Sequence, residues 1–254
     1  MGITSTSHWH WDHIGAPSTF PTTTDLVVGP GFKDAFCPGY PARKDSPILE
    51  SDCRGRRLIE IDFSKSCLDI GQMKAHDYFG DGSFYILDAP GHALGHICAL
   101  VRTTSSPDTF VFLAGDAIHH AAELRPSTYL PIPSSISPNP LTPLDLAGSF
   151  CPGHILDDLQ SSRGIEPGQA FLNPLLGLSV PDAISTIRKV QELDCSGNIF
   201  VLFSHDTHAP KVIDFFPKSI NHWKEKGWAH LAKWSFLQDF EQYIKSSVMQ
   251  DGES

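Results

Sequence analysis

The chain has 254 residues, enough for one large domain or two small ones, and 41% of them are hydrophobic, enough to fill a sizeable core. Its 20 glycines and 20 prolines argue against a helical bundle, and a net charge of −10 repels phosphate backbones, which sets nucleic acid aside as a partner. No run of 18 apolar residues is present and residues 1–5 carry no basic-then-apolar leader, so neither a membrane-spanning helix nor a signal peptide is expected.

Without a leader, the six cysteines (Cys37, Cys53, Cys67, Cys98, Cys151 and Cys195) are expected to be reduced packing residues in the cytosol. None forms a C-x-x-C pair.

The first informative stretch is Ser7-His8-Trp9-His10-Trp11-Asp12-His13. Imidazole suits zinc, iron, copper and nickel, and the added carboxylate favours a hydrolytic or oxygen-handling metal over a structural one. Residues two apart in an extended segment point the same way, so His8 and His10 can grip one ion together. Asp12 and His13 follow where the alternation breaks and are free to turn toward a second ion. The irregular spacing, the embedded aspartate and the interleaved tryptophans are unlike a purification tag.

Residues 25–29 (Asp-Leu-Val-Val-Gly) read as a short buried strand, and 30–57 as mixed loop. Arg54, Arg56 and Arg57 at its end make a solvated face or meet an anionic substrate group. Strands are expected at 58–61, 73–79 and 84–88, the last two joined as a hairpin through Gly80-Asp81-Gly82-Ser83. Further strands are expected at 97–101, 109–114 and 198–203. Helices are expected at 117–124 and 181–193, the latter with Ala183, Ile184, Ile187, Val190 and Leu193 at 3–4 spacing. The proline-rich segment 125–153 reads as a long loop, either a pocket wall or a plain connection. In the C-terminal part Leu231, Trp234, Leu237, Phe240 and Ile244 share one helical face, expected to dock on a sheet. Strands in two runs with helices between and after suggest two sheets covered by helices.

His8-x-His10-x-Asp12-His13, Pro90-Gly91-His92, Gly115-Asp116 and Ser204-His205-Asp206, in that order and at strand ends, resemble the metallo-β-lactamase superfamily, over about residues 5–216. The resemblance implies an α+β fold, an αββα sandwich, as one domain over 1–254. It implies two zinc ions per chain, one held by His8, His10 and His92, the other by Asp12, His13 and His205, with Asp116 shared. Asp12 would also shuttle protons. The implied chemistry is attack of a metal-bridging hydroxide on a small-molecule ester, lactone, lactam or thioester. His96, His119, His120 and Tyr129 are candidates for supporting or substrate contacts; lactonases of the superfamily tend to carry a tyrosine where Ala117-Ile118-His119-His120 follows Asp116. The superfamily usually has several strands ahead of the His-rich motif, so the first sheet is expected to be incomplete here.

Three other readings compete. A glyoxalase-II-like thioesterase shares the motifs, and Gly95-His96-Ile97-Cys98 resembles its sequence. An iron persulfide dioxygenase would use only two histidines and one aspartate. A shortened, non-catalytic remnant would keep the ligands without activity. Pocket-shaping segments are expected at 30–57 and 125–153.

Overall fold

The structure is a computed structural model that describes residues 2–142 and 148–251, with backbone alone for 248–251. Pro143, within the proline-rich segment 125–153, lies outside the described residues.

A first sheet is built from β1 (Gly2–Ser5), β2 (Thr24–Val28) and β3 (Leu58–Glu60), all parallel in the order β1-β2-β3. A second sheet has six strands in sequence order: β4 (Leu68–Ile70), β5 (Met73–Asp77), β6 (Phe84–Asp88), β7 (Ile97–Ser105), β8 (Asp108–Leu113) and β9 (Ile199–Leu202). Its first five strands pair antiparallel; β9 then adds parallel to β8. The helices are α1 (Trp11–Ile14), α2 (Phe32–Phe36), α3 (Glu50–Cys53), α4 (Ala121–Leu124), α5 (Ile155–Ser162), α6 (Val180–Asp194), α7 (Trp228–Lys233) and α8 (Glu241–Asp251).

Alternation along the strands creates the layers. In β2, Leu26 and Val28 face Phe32, Phe36 and Ile48, while Val27 between them meets Ile86 and Ile97 of the second sheet. In β6, Ile86 points toward the first sheet and Leu87 joins the large core under the helices. That core packs Met73, Leu100 and Phe112 against Leu156, Phe171 and Val190. The order is therefore helix, sheet, sheet, helix.

The expected strands are all present, shifted by a residue or two at their ends. Asp77 caps the β5–β6 turn by accepting from the N–H groups of Gly80 and Gly82 at 3.0 and 2.9 Å. Three expectations are corrected. Segment 30–57 carries two short helices, α2 and α3, because Phe32 and Phe36 can bury against β2. The 117–124 helix is only α4, since Glu123 Oε2 accepts from His119 N–H at 2.9 Å and holds the preceding turn open. The C-terminal stripe is spread over α7, a 3₁₀ stretch (Ser235–Phe240) and α8; Trp234, Leu237 and Ile244 still dock on the second sheet's core. The arginines after α3 take the first of their two expected readings, a solvated face: the side chains of Arg54 and Arg57, 70% and 60% exposed, pair with Glu50 and Asp25, and Arg56 donates to the carbonyls of Phe20 and Thr24.

Two glycines fix how the layers approach. A Cβ on Gly29, just after β2, would collide with the Gly95 carbonyl, so the two sheets meet here backbone to backbone. Gly91 has φ 130°, and a Cβ there would collide with Ala183 near the start of α6. Among the described residues, no helix is long and apolar enough to cross a membrane.

Candidate metal centre

The His-rich stretch leaves the end of β1 and is turned by Thr6, whose Oγ1 donates to the His8 carbonyl at 2.6 Å. Ile97 N–H donates to the Ser7 carbonyl at 2.9 Å, tying this loop to the second sheet. The single turn α1 follows at once and carries Asp12 and His13, which join a different group of donors from His10. His92 follows β6, Asp116 follows β8 and His205 follows β9, and Ser204 N–H donates to the Gly115 carbonyl at 3.1 Å to join the last two loops.

These strand ends deliver two groups of donor atoms. In the first, His8 Nε2 lies 2.7 Å from His10 Nδ1 and 3.2 Å from His92 Nε2, and His92 Nε2 lies 3.0 Å from His10 Nδ1. In the second, Asp12 Oδ2 is 3.6 Å from His13 Nε2 and 4.0 Å from His205 Nε2. Asp116 stands between them. Its Oδ1 is 3.1 Å from His13 Nε2, and its Oδ2 is 3.2, 3.4 and 3.8 Å from the Nε2 atoms of His205, His92 and His8.

The arrangement fits cations. Two nitrogens held about 2.0–2.1 Å from one tetrahedral ion span an edge of about 3.3 Å, close to the spacings seen in the first group. Burial drives His8 far below its ordinary pKa, with the neighbouring histidines adding to the effect, and brings His92 down to about 4. It lowers His10 as well. Such imidazoles are neutral at pH 7 and turn lone pairs toward one another, a costly arrangement unless a cation accepts them. Asp116 Oδ1 is buried without a hydrogen-bond partner among the described residues, a second sign of a missing positive charge.

His119 is drawn closer than a supporting role requires. With Asp116 and His205 it forms a further trio able to hold an ion, its Nε2 lies 3.7 Å from Asp116 Oδ2, and its ring stacks on His205 at 5.6 Å and 8°. His96 sits behind the centre. Asp116 N–H donates to its Nε2 at 3.0 Å, so its Nδ1–H faces the Ala89 carbonyl at 3.1 Å, and burial brings its pKa down to about 3. His120 turns away: its Nδ1 accepts from Ala122 N–H at the start of α4 and its Nε2 reaches Asp239 at 3.0 Å. Tyr129 is exposed in a tight turn closed by Ser127 and Leu130, and makes none of the contacts that join the histidines to Asp116.

Sequence reasoning missed Ser7. Its Oγ is 3.1 Å from His8 Nδ1 and 3.1 Å from His13 Nδ1, one histidine of each group, so a single hydroxyl orients both. A serine directly before the first histidine was the only available signal.

A cavity of about 950 Å³ opens beside the first group, with His10, His92 and His119 in its wall. Trp9 and Phe36 form one side, and the segment Leu172–Leu178 forms the other. Of the two segments expected to shape a pocket, 30–57 contributes Phe36, but no described residue of 125–153 lines this cavity.

No protein-family model matches the chain. It is 43% identical over 258 residues to gamma-lactamase FDB1 of Fusarium pseudograminearum, covering 100% of this chain and 61% of that protein. It is 49% identical over 175 residues to gamma-lactamase MBL2 of Gibberella moniliformis, covering 68% of this chain and 71% of that one. Among solved structures, an N-acyl homoserine lactone hydrolase with N-hexanoyl-L-homoserine bound at its catalytic metal centre shares the fold. That match has a TM-score of 0.50 at 17% identity and covers 84% of this chain and 59% of that one. The chain belongs to the metallo-β-lactamase superfamily. It spans about three fifths of the length of FDB1.

Proposed function

We propose that this chain is the catalytic part of a metal-dependent hydrolase that opens small cyclic amides or esters, with zinc the expected metal, two ions per chain. The observation that carries this reading is the buried Asp116 carboxylate between the two groups, with Oδ1 3.1 Å from His13 Nε2 and Oδ2 3.2 Å from His205 Nε2 and 3.4 Å from His92 Nε2. His8, His10 and His92 would hold one ion, and Asp12, His13 and His205 the other, with Asp116 shared. Bound dications would supply Lewis acidity toward a carbonyl and a nucleophilic water at neutral pH.

The chain's own groups do the rest. Ser7 Oγ and the His96–Asp116 backbone contact keep the donors aimed before substrate arrives. Asp12 is partly exposed on the open side of the centre and, through Oδ2, would take up the attacking water's proton and pass it to the leaving nitrogen or oxygen. His119 Nε2 stands between Asp116 and the cavity and would orient the substrate carbonyl. The gamma-lactamase names of FDB1 and MBL2 support a cyclic amide among the substrates.

The test is elemental analysis of the purified full chain beside a panel of γ-lactams, γ-lactones and thioesters. Two zinc ions per chain, with ring opening lost to a chelator and restored by zinc, is the expected result. One iron per chain with no hydrolysis would sink the reading and favour the dioxygenase.

A further inference from the structure

The cavity beside the first histidine group has an uneven chemistry. Its titratable groups, His10, His92, His119 and Glu123, gather near the centre, whereas Trp9, Phe36 and Leu94 line one flank and four leucines, with Asn173 as the one polar side chain among them, line the other. Trp9 and Phe36 pack ring to ring, with centroids 5.2 Å apart at 43°. Among the described residues, no lysine or arginine lines it.

The leucine flank is a strap fastened at both ends to the site. Leu172 N–H donates to the Ala122 carbonyl at 2.9 Å, next to the turn that carries His119. Leu178 N–H donates to the His92 carbonyl at 2.9 Å, and Ser179 N–H to the Gly91 carbonyl at 2.8 Å. Between these anchors the side chains stay in the open: Leu175 is 85% exposed, Leu176 84% and Leu178 69%. Leaving three leucines to water in one short segment is unfavourable by about 25 cal/mol per Å² unless something covers them. The strap's backbone touches a residue of the centre, so whatever covers it lies within reach of the donors.

We infer that this cavity takes the apolar substituent of an uncharged substrate whose carbonyl is held at the metal centre, and that Leu175 and Leu176 set how large that substituent can be. The inference rests on the hydrolase reading above and narrows its substrate class. A volume of about 950 Å³ suits a drug-sized molecule with a long alkyl chain or fused rings. A substrate with a carboxylate or phosphate in the same place would find no cation and would face Glu123, which is buried. Thioesters of anionic carriers are therefore poor candidates, and this is the observation that separates the chain from the glyoxalase-II-like alternative.

The experiment uses the full zinc-loaded chain and alkyl cyclopentanones of increasing chain length, which keep the carbonyl and have no bond to hydrolyse. Calorimetry should show affinity rising about 2- to 4-fold per methylene until the strap is covered. A carboxylate at the chain's far end should weaken binding about tenfold relative to its neutral parent. In the double variant L175S/L176S, with circular dichroism to confirm the fold, the gain per methylene should fall below about 1.5-fold. Affinities that ignore chain length, or a carboxylate-tipped chain that binds as well as its parent, would overturn the inference. Hydrolysis plays no part in this readout. Rising affinities without ring opening of any lactone or lactam would defeat the hydrolase reading and leave the cavity's assignment standing.

Discussion

His8, His10 and His92 face one another with ring nitrogens 2.7–3.2 Å apart, and Asp116 comes no nearer to His8 or His92 than 3.4 Å. A short way along the same fold, His120 and His208 place Nε2 at 3.0 and 2.8 Å from one carboxylate oxygen, Asp239 Oδ2. The second cluster is self-sufficient. His120 Nδ1 accepts from Ala122 N–H, and His208 Nδ1 has Lys211 Nζ at 3.5 Å, so each ring has a partner on both sides. In the first cluster Ser7 Oγ meets the far side of His8, but the three nitrogens that converge have only each other and the more distant Asp116 Oδ2. A histidine cluster built for a cation is marked by lone pairs that converge without protons to share; a cluster built for stability pairs every nitrogen.

That contrast can be broken experimentally, beginning where the effect is largest. Asp116→Asn keeps the shape and removes the charge that both groups share. It should cost ring opening more than about 100-fold, beyond the 10–100-fold typical of partners that only orient ligands, and a zinc titration should show at least one site lost. Ser7→Ala removes a hydroxyl that steadies one histidine of each group and should weaken zinc about 10- to 100-fold with the fold intact, read by competition with a chelating dye. Adding zinc to the metal-free chain at about 100 times its Kd should stabilise it by about 2.7 kcal/mol and raise Tm by about 5–10 °C in a thermal scan.

The pH dependence sharpens the comparison further. His92 and His96 have pKa values near 4 and 3 in the folded chain, below the ordinary 6.5, so between those values the unfolded chain binds protons that the folded chain refuses. Stability of the metal-free protein should therefore be intact above about pH 6.5 and decline as pH falls toward 4, by on the order of 1 kcal/mol per pH unit per histidine, measured from urea midpoints. The smallest effect belongs to the second cluster. Asp239→Asn should change stability by no more than about 1 kcal/mol and leave zinc content untouched; a loss of zinc would show that the two clusters are coupled.

Much of this was legible in the residues. The seven donors sit in short, chemically distinctive motifs at strand ends, and strand ends are where a sandwich gathers its loops. The strands at 24–28 and 84–88 hold continuous apolar runs, legible as buried strands but silent on which face Val27 or Ile86 takes. What the sequence hid was set by distance and direction. Nothing local says that Ser7 Oγ reaches His13 as well as His8, or that His119 turns toward the centre while its neighbour His120 turns away; Glu123 and Asp239 decide that, from α4 and from near the C-terminus. No sequence motif marks the strap at 172–178, because its role comes from anchors on Ala122 and His92, far away in the chain.

The backbone contact between Gly29 and Gly95 has a consequence for kinetics. It is where the first sheet seats on the second, and His8 and His10 belong to one side of that seam while His92, Asp116 and His205 belong to the other. The complete set of donors thus exists only after segments far apart in the chain have closed on each other, the slowest kind of step in folding. An ion that needs both sides is captured after the main barrier has been crossed. Loading with zinc should then lengthen the lifetime of the folded chain by slowing its unfolding, and leave the rate at which it folds nearly unchanged.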